Sequence, residues 1–247
     1  MDLEAFFKKN NKLAIAFSGG VDSAYLLFEA HKNKAEVTAY YVKSQFQPEF
    51  EYEDAKRLVE EIKANLKIIE LDVLKYDDVV RNDEKRCYYC KQKIFGAICK
   101  AAMEDDYNIV ADGTNASDDV NDRPGMEVLR ELSVVSPLRE CGLTKDNVRM
   151  LSKEAGLFTW DKPAYAWLAT RIKPYEKIEP DTLKKVERSE EYLKEIGFIN
   201  HRVRVSEDVA TVIADKNQVQ LLSEKKDIIE PYLKKIFKDV ILCECGR

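Results

Sequence analysis

Leu13-Ala14-Ile15-Ala16-Phe17-Ser18-Gly19-Gly20-Val21-Asp22-Ser23 decides the fold of this chain. The apolar run is too short for a helix and ends in Ser-Gly-Gly; Ala24, Leu27 and Phe28 then recur at helical spacing. A buried strand that turns directly into a helix is the opening unit of a parallel sheet. Outward from it the alternation continues. Residues 37–42 are rich in β-branched and aromatic side chains and predict a second strand. Residues 51–64 predict an amphipathic helix, 67–73 a third strand, and 87–103 a charged helix. Residues 109–113 and 134–138 complete the strand candidates of the first half. Strands alternating with helices imply an α/β fold, a doubly wound and mostly parallel sheet covered on both faces, over residues 1–160.

From residue 161 the pattern changes. Residues 161–180 hold several prolines and aromatics and suit a connecting or site-lining segment. A helix over 182–196, closed by Gly197, precedes strand candidates at 201–206 and 209–214, a helix or two, and a last strand at 240–243. Residues 161–247 therefore form a smaller C-terminal α+β domain. The chain of 247 residues is 45% hydrophobic and 34% charged, with a net charge of −5, which excludes a disordered or low-complexity protein. No global basic surface exists to hold nucleic acid. No apolar stretch approaches the ~20 residues that span a bilayer, and the start has no signal-peptide core. A cytoplasmic protein without a membrane partner is expected.

The Ser18–Ser23 loop has the chemistry of a phosphate site. Gly19 and Gly20 let backbone N–H groups approach an anion without a Cβ in the way. The helix N-terminus behind them adds donors and partial positive charge. Ser18 and Ser23 supply hydroxyls, and Asp22 supplies a hard oxygen for Mg²⁺. No lysine follows the glycines, so this is not a Walker A loop. A tight turn with Asp22 or Ser23 as a plain N-cap is the alternative.

The Ser-Gly-Gly-Val-Asp-Ser hexapeptide, placed after the first strand, resembles the PP-loop of the N-type ATP pyrophosphatases. The resemblance implies an adenine nucleotide alpha hydrolase-like fold. It also implies cleavage of ATP between the α- and β-phosphates, with Mg²⁺, and adenylation of a carbonyl or carboxylate oxygen. Further segments are similar to the LarE-type sulfur transferases (pyridinium-3,5-bisthiocarboxylate mononucleotide synthases): Asp112-Gly113-Thr114-Asn115, Arg123-Pro124-Gly125, Val135-Ser136-Pro137-Leu138, Lys162-Pro163-Ala164, Leu168-Ala169-Thr170-Arg171 and Arg202-Val203-Arg204. That family converts the carboxylates of a pyridinium dicarboxylate mononucleotide to thiocarboxylates for a nickel-pincer nucleotide. The resemblance implies ATP contacts at Ser18, Gly19, Gly20, Asp22, Ser23, Ser44, Gly113 and Thr114, although Ser44 reads equally well as a turn residue. It implies substrate or phosphate contacts at Arg123, Arg171, Arg202 and Arg204, planar cations suited to carboxylates and phosphate. Arg202 and Arg204 alternate on one strand and share a face. Asp22, Arg171 and Glu190 carry the catalytic roles, with Glu191 or Glu187 as alternatives to Glu190. Family likeness further implies a homo-oligomer and a nucleotide as small-molecule substrate.

The sulfur source divides the family. Members that sacrifice a cysteine carry it after Lys-Pro, where this chain has Lys162-Pro163-Ala164-Tyr165-Ala166-Trp167; neither Ala166 nor Trp167 has sulfur. Other relatives bind a 4Fe–4S cluster through a C-x-x-C and one more cysteine, and Arg86-Cys87-Tyr88-Tyr89-Cys90-Lys91 resembles that C-x-x-C. Cluster delivery of sulfide or another donor's sulfur, through Cys87 and Cys90, is the expectation for this branch. Trp167 stands where the third ligand would be, and Cys243 or Cys245 is a candidate substitute. A buried thiol pair or a redox dithiol is the alternative. Cys99 and Cys141 read as core and loop residues, and neither histidine is assigned to chemistry. A tRNA-thiolating enzyme or a catalytically decayed nucleotide-binding homologue remains as a functional alternative, the first weakened by the acidic charge balance.

Overall fold

The computed structural model describes residues 1–119, 124–244 and 246. By internal contacts the chain divides into two compact units, residues 1–72 with 87–164, and residues 73–86 with 165–247. The C-terminal unit thus recruits a stretch from the middle of the chain as well as the residues beyond 164.

The first unit is a parallel sheet, with strands β1 (Lys12–Ala16), β2 (Glu36–Lys43), β3 (Asn65–Glu70) and β4 (Val110–Ala111) in the order β3-β2-β1-β4. Ile15 pairs with Ala39 on one side and Ala111 on the other. Its apolar side chains (Leu13, Ile15, Val37, Tyr41) pack with Leu26, Leu27 and Ala30 of the Val21–Lys32 helix and with Ala55 and Leu58 of the Glu49–Ile62 helix. The strand expected over 134–138 shrinks to one parallel bridge between Ala111 and Val135. The reason is Pro137, which opens the short Pro137–Glu140 helix; proline has no N–H for a ladder and suits a first helical turn. The order matters for function. After β1 the chain moves one way along the sheet, to β2 and β3, and then returns to place β4 on the other side of β1. Such a reversal opens a crevice at the carboxyl ends of the two strands between which it occurs.

The second unit is built on strands β5 (Arg202–Ser206), β6 (Val209–Ile213) and β7 (Asp239–Cys243) in sequential order. β5 and β6 are antiparallel, joined through Glu207 and Asp208, both at positive φ (50° and 62°); two left-handed residues match the twist of a tight hairpin. β6 and β7 are parallel, connected through the Val219–Glu224 and Lys226–Leu233 helices. The Pro180–Glu195 helix buries Leu183, Val186 and Leu193. Asn82 ties the 73–86 segment into this unit. At φ +56° it donates Nδ2 to the carbonyls of Lys173 and Glu176, and its Oδ1 accepts from Arg86. Among the described residues no helix is long and apolar enough to cross a membrane.

Candidate active site

In the N-terminal unit the Ser18–Ser23 loop lies at the sheet reversal. Gly19 has φ +71°, and an added Cβ would stand 3.1 Å from Ala55 Cβ and 3.3 Å from the Glu51 carbonyl oxygen; only glycine satisfies both the dihedral and the space. The two serines pin the loop rather than point away from it. Ser23 Oγ accepts from the Ser18 N–H at 3.2 Å, donates to the Gly20 carbonyl at 3.2 Å, and lies 3.1 Å from Ser18 Oγ. Gly20 is the N-cap of the Val21–Lys32 helix and no side chain caps it. The first-turn amides therefore keep their donors for an anion, where the helix dipole favours negative charge.

Gly113, immediately beyond β4, closes the crevice from its other side. A Cβ there would lie 2.8 Å from the Ser23 backbone nitrogen and 3.2 Å from Asp22 Cβ. Beside it Asp112 accepts from Thr114 Oγ1 at 2.5 Å and from Ser136 Oγ at 2.6 Å. Thr114 thus turns its hydroxyl into the protein, and the Ser-Pro-Leu segment supplies the second anchor. Asp22 holds two partners, Lys145 Nζ at 2.5 Å from Oδ2 and Asn115 Nδ2 at 3.3 Å from Oδ1. Lys162 pairs with Asp54 at 2.8 Å and reaches the Gly19 carbonyl at 3.5 Å. Lys145 has no signal in its sequence context, and Lys162 stands there only within the Lys-Pro-Ala segment; the loop each one meets is more than a hundred residues away. Ser44 uses its hydroxyl in a turn, donating to Gln47 Oε1 at 2.6 Å and accepting from the Phe46 N–H at 3.3 Å.

In the C-terminal unit Arg171 and Glu190, each given a separate role in the sequence, form a direct ion pair. Arg171 donates Nε to Oε1 at 2.6 Å and Nη2 to Oε2 at 3.1 Å. Its Nη1 donates to the Ala166 carbonyl and to Thr170 Oγ1. Glu190 accepts in addition from the Tyr165 hydroxyl and from the Val203 N–H at 2.9 Å. Both carboxylate oxygens are thereby doubly occupied. Arg202, the neighbour of Val203, is buried and lies over the Tyr165 ring at 5.1 Å. Arg204, two residues on, is exposed. Burial first, and then the facing Glu190 carboxylate, push the Tyr165 phenol above its ordinary range, so it stays a proton donor at neutral pH. Arg123 lies outside the described residues.

Cys87 and Cys90 fall one turn apart on the Arg86–Glu104 helix; Cys87 is exposed and Cys90 is 1% exposed. Cys243 is disulfide-bonded, and Cys245 lies outside the described residues. Among the described residues no group of three His, Cys, Asp or Glu side chains is close enough to hold a metal ion. The described residues thus bring two thiols, Cys87 and Cys90, to one helix and group no third ligand with them.

Comparison with known proteins agrees with the loop geometry. A family model described as a PP-loop domain matches residues 2–131. An uncharacterised protein of Synechocystis is 33% identical over 89% of this chain and 82% of its own length. An uncharacterised protein of Methanocaldococcus jannaschii is 30% identical, with coverages of 95% and 90%. The pyridinium-3,5-bisthiocarboxylic acid mononucleotide synthase of Lactiplantibacillus plantarum is 31% identical over 85% of this chain and 77% of its own.

Proposed function

The chain belongs to the PP-loop family, and on that premise we propose that it is an ATP-dependent sulfur transferase, one that turns a carboxylate of a pyridinium dicarboxylate mononucleotide into a thiocarboxylate. The single observation that carries the reading is the likeness to the synthase of Lactiplantibacillus plantarum, which extends over most of both chains rather than over the phosphate loop alone.

The residues support a definite division of labour. The Gly19–Gly20 amides and the uncapped helix start receive the β- and γ-phosphates, and Asp22 supplies an oxygen to the Mg²⁺ that arrives with ATP. A substrate carboxylate oxygen then attacks the α-phosphorus and pyrophosphate leaves. Holding the departing charge against preorganised amides is the step this loop is built for. Sulfide, or the sulfur of a donor, attacks the acyl carbon of the resulting adenylate; a carbon–sulfur bond forms, AMP departs, and the product is the thiocarboxylate. Alanine and tryptophan at 166 and 167 leave no cysteine at that site to sacrifice, so sulfide or a separate donor is the source this reading requires. Arg204, exposed on its strand, is the cation the C-terminal unit offers to a carboxylate or phosphate, with Arg171 and Glu190 as positioning residues for that strand and Arg202 packed over Tyr165.

The test is anaerobic pyrophosphate release from Mg²⁺–ATP. Release that depends on the pyridinium dicarboxylate mononucleotide, with thiocarboxylate formed when sulfide is added, is the expected result. ATP cleavage that ignores this substrate, or none at all, overturns it. Pyrophosphate release that depends on tRNA instead would identify a thiolating relative of different substrate class.

A further inference from the structure

The loop has no lysine in sequence, yet a lysine stands on it in space. Lys145 opens the Lys145–Glu154 helix, and its placement is built. Thr144 caps that helix in a reciprocal box with Asn147, and the Lys145 main-chain N–H donates to Ser117 Oγ at 3.0 Å. From there Nζ reaches Asp22 Oδ2 at 2.5 Å, with Asn115 on the other carboxylate oxygen at 3.3 Å. The lysine and aspartate side chains are 33% and 20% exposed, so the pair is partly screened but not sealed.

Resting on the ATP reading above, we propose that Lys145 is an exchanging counter-ion: without nucleotide it neutralises Asp22, and when Mg²⁺–polyphosphate arrives the divalent ion takes the carboxylate and the ammonium passes to the phosphate oxygens. Mg²⁺ takes hard oxygen ligands from carboxylate and phosphate together. A bare carboxylate a few ångströms from a polyphosphate would repel it. A lysine is suited to the exchange, being a point charge with three donors on a flexible stem, so it changes partner without moving its backbone. The same cation then stays at the site in both states and helps retain the charge that develops on the leaving pyrophosphate.

The arrangement makes two effects of opposite sign, which separates it from a merely structural role. Lys145→Met uncovers Asp22, so Mn²⁺ alone, read by electron paramagnetic resonance, should bind several-fold more tightly than to wild type. The same variant should bind Mg²⁺–pyrophosphate and Mg²⁺–α,β-methylene-ATP about tenfold or more weakly by calorimetry, the effect of losing one charge-assisted hydrogen bond. Lys145→Arg should restore part of the pyrophosphate affinity, and thermal unfolding of each variant verifies that it is folded. Unchanged pyrophosphate affinity in Lys145→Met, or a parallel loss of Mn²⁺ and pyrophosphate binding, overturns the assignment of Lys145. Failure of wild type to bind either Mg²⁺–polyphosphate overturns the ATP reading itself, and the inference with it.

Discussion

Arg171 and Glu190 grip each other through two N–H···O contacts of 2.6 and 3.1 Å, with 2% and 4% of their side chains exposed. Removing two charges from water costs several kcal/mol per ion, and attraction alone seldom repays it. Here each partner is saturated further, Arg171 by the Ala166 carbonyl and Thr170 Oγ1, Glu190 by the Tyr165 hydroxyl and the Val203 N–H. The carboxylate thus joins three stretches of the C-terminal unit: residues 165–171, the Pro180–Glu195 helix and β5. Glu190→Gln leaves the guanidinium buried against a neutral amide and should cost about 3–5 kcal/mol of unfolding free energy. Urea denaturation measures it. Arg171→Met with Glu190→Leu should recover much of the loss, because neither charge then remains uncompensated; an unshifted midpoint in Glu190→Gln alone would mean that the pair contributes nothing net.

Gly113 and Ser23 touch where the two halves of the first sheet's crevice meet. A methyl group on Gly113 would stand 2.8 Å from the Ser23 nitrogen, closer than non-bonded atoms tolerate. The obstacle is helix backbone, which cannot swing aside as a side chain can. Gly113→Ala should therefore push the first turn of the Val21–Lys32 helix off its anion position. The expected signature is a loss of ATP affinity of tenfold or more, about 1.4 kcal/mol per decade, measured by calorimetry. Full ATP affinity in that variant would show that the approach of β4 to the loop has no part in binding.

His201 should give the C-terminal unit a pH-dependent stability. It is buried, its Nε2 lies 2.6 Å from the Glu190 carbonyl, and its Nδ1 has no hydrogen-bond partner among the described residues. Burial, the largest influence, lowers its pKa from the ordinary 6.5. The sign follows from linkage. Below about 6.5 the unfolded chain takes a proton that the folded one refuses, so folding stability falls as pH falls through that value and is retained above it. The chain has only two histidines, which keeps the window from pH 7.5 to 5.5 simple. The difference in unfolding free energy between those pH values should shrink in His201→Gln. An identical difference in wild type and variant would refute the assignment.

Local signals made the first unit legible. The β1 run, the paired glycines and the helical spacing after them are adjacent in sequence, and their structure is decided by neighbours. The same holds for β5 and β6, whose β-branched alternation survives intact in the fold. Legibility fails where the deciding partner is distant. Asn82 earns its left-handed conformation from carbonyls 91 and 94 residues away, so nothing near it announces that 73–86 belongs with the C-terminal unit. Lys145 looks like any lysine at a helix start until Asp22, 123 residues earlier, is placed beside it. Arg171 and Glu190 show a further limit. The resemblance gives each of them a role separately, but whether an arginine offers its N–H groups to a ligand or spends them on protein depends on packing that residue type does not encode. At 134–138 a local signal was outweighed by another: the apolar run favours a strand, and Pro137 within it starts a helix turn instead.

Cys87 and Cys90 differ in access although they share a helix. Their spacing places them one turn apart, and the neighbouring Tyr88 hydroxyl is held by both oxygens of Glu131, at 3.0 and 2.9 Å. Cys87 meets solvent, whereas Cys90 is 1% exposed. Alkylation requires a thiolate that a reagent can reach. Under native anaerobic conditions a maleimide should therefore modify Cys87 promptly and Cys90 only at the rate of local opening, as mass spectrometry of the digested protein would reveal. The same preparation answers the question of iron. With two helix thiols and no third ligand grouped with them among the described residues, iron and acid-labile sulfide should fall well below about four of each per chain, the content of a full cubane. Pyrophosphate release should persist in Cys87→Ser, since neither thiol belongs to the nucleotide loop. A stoichiometric cluster that protects both thiols from alkylation would reverse this conclusion and require a ligand from outside the described residues.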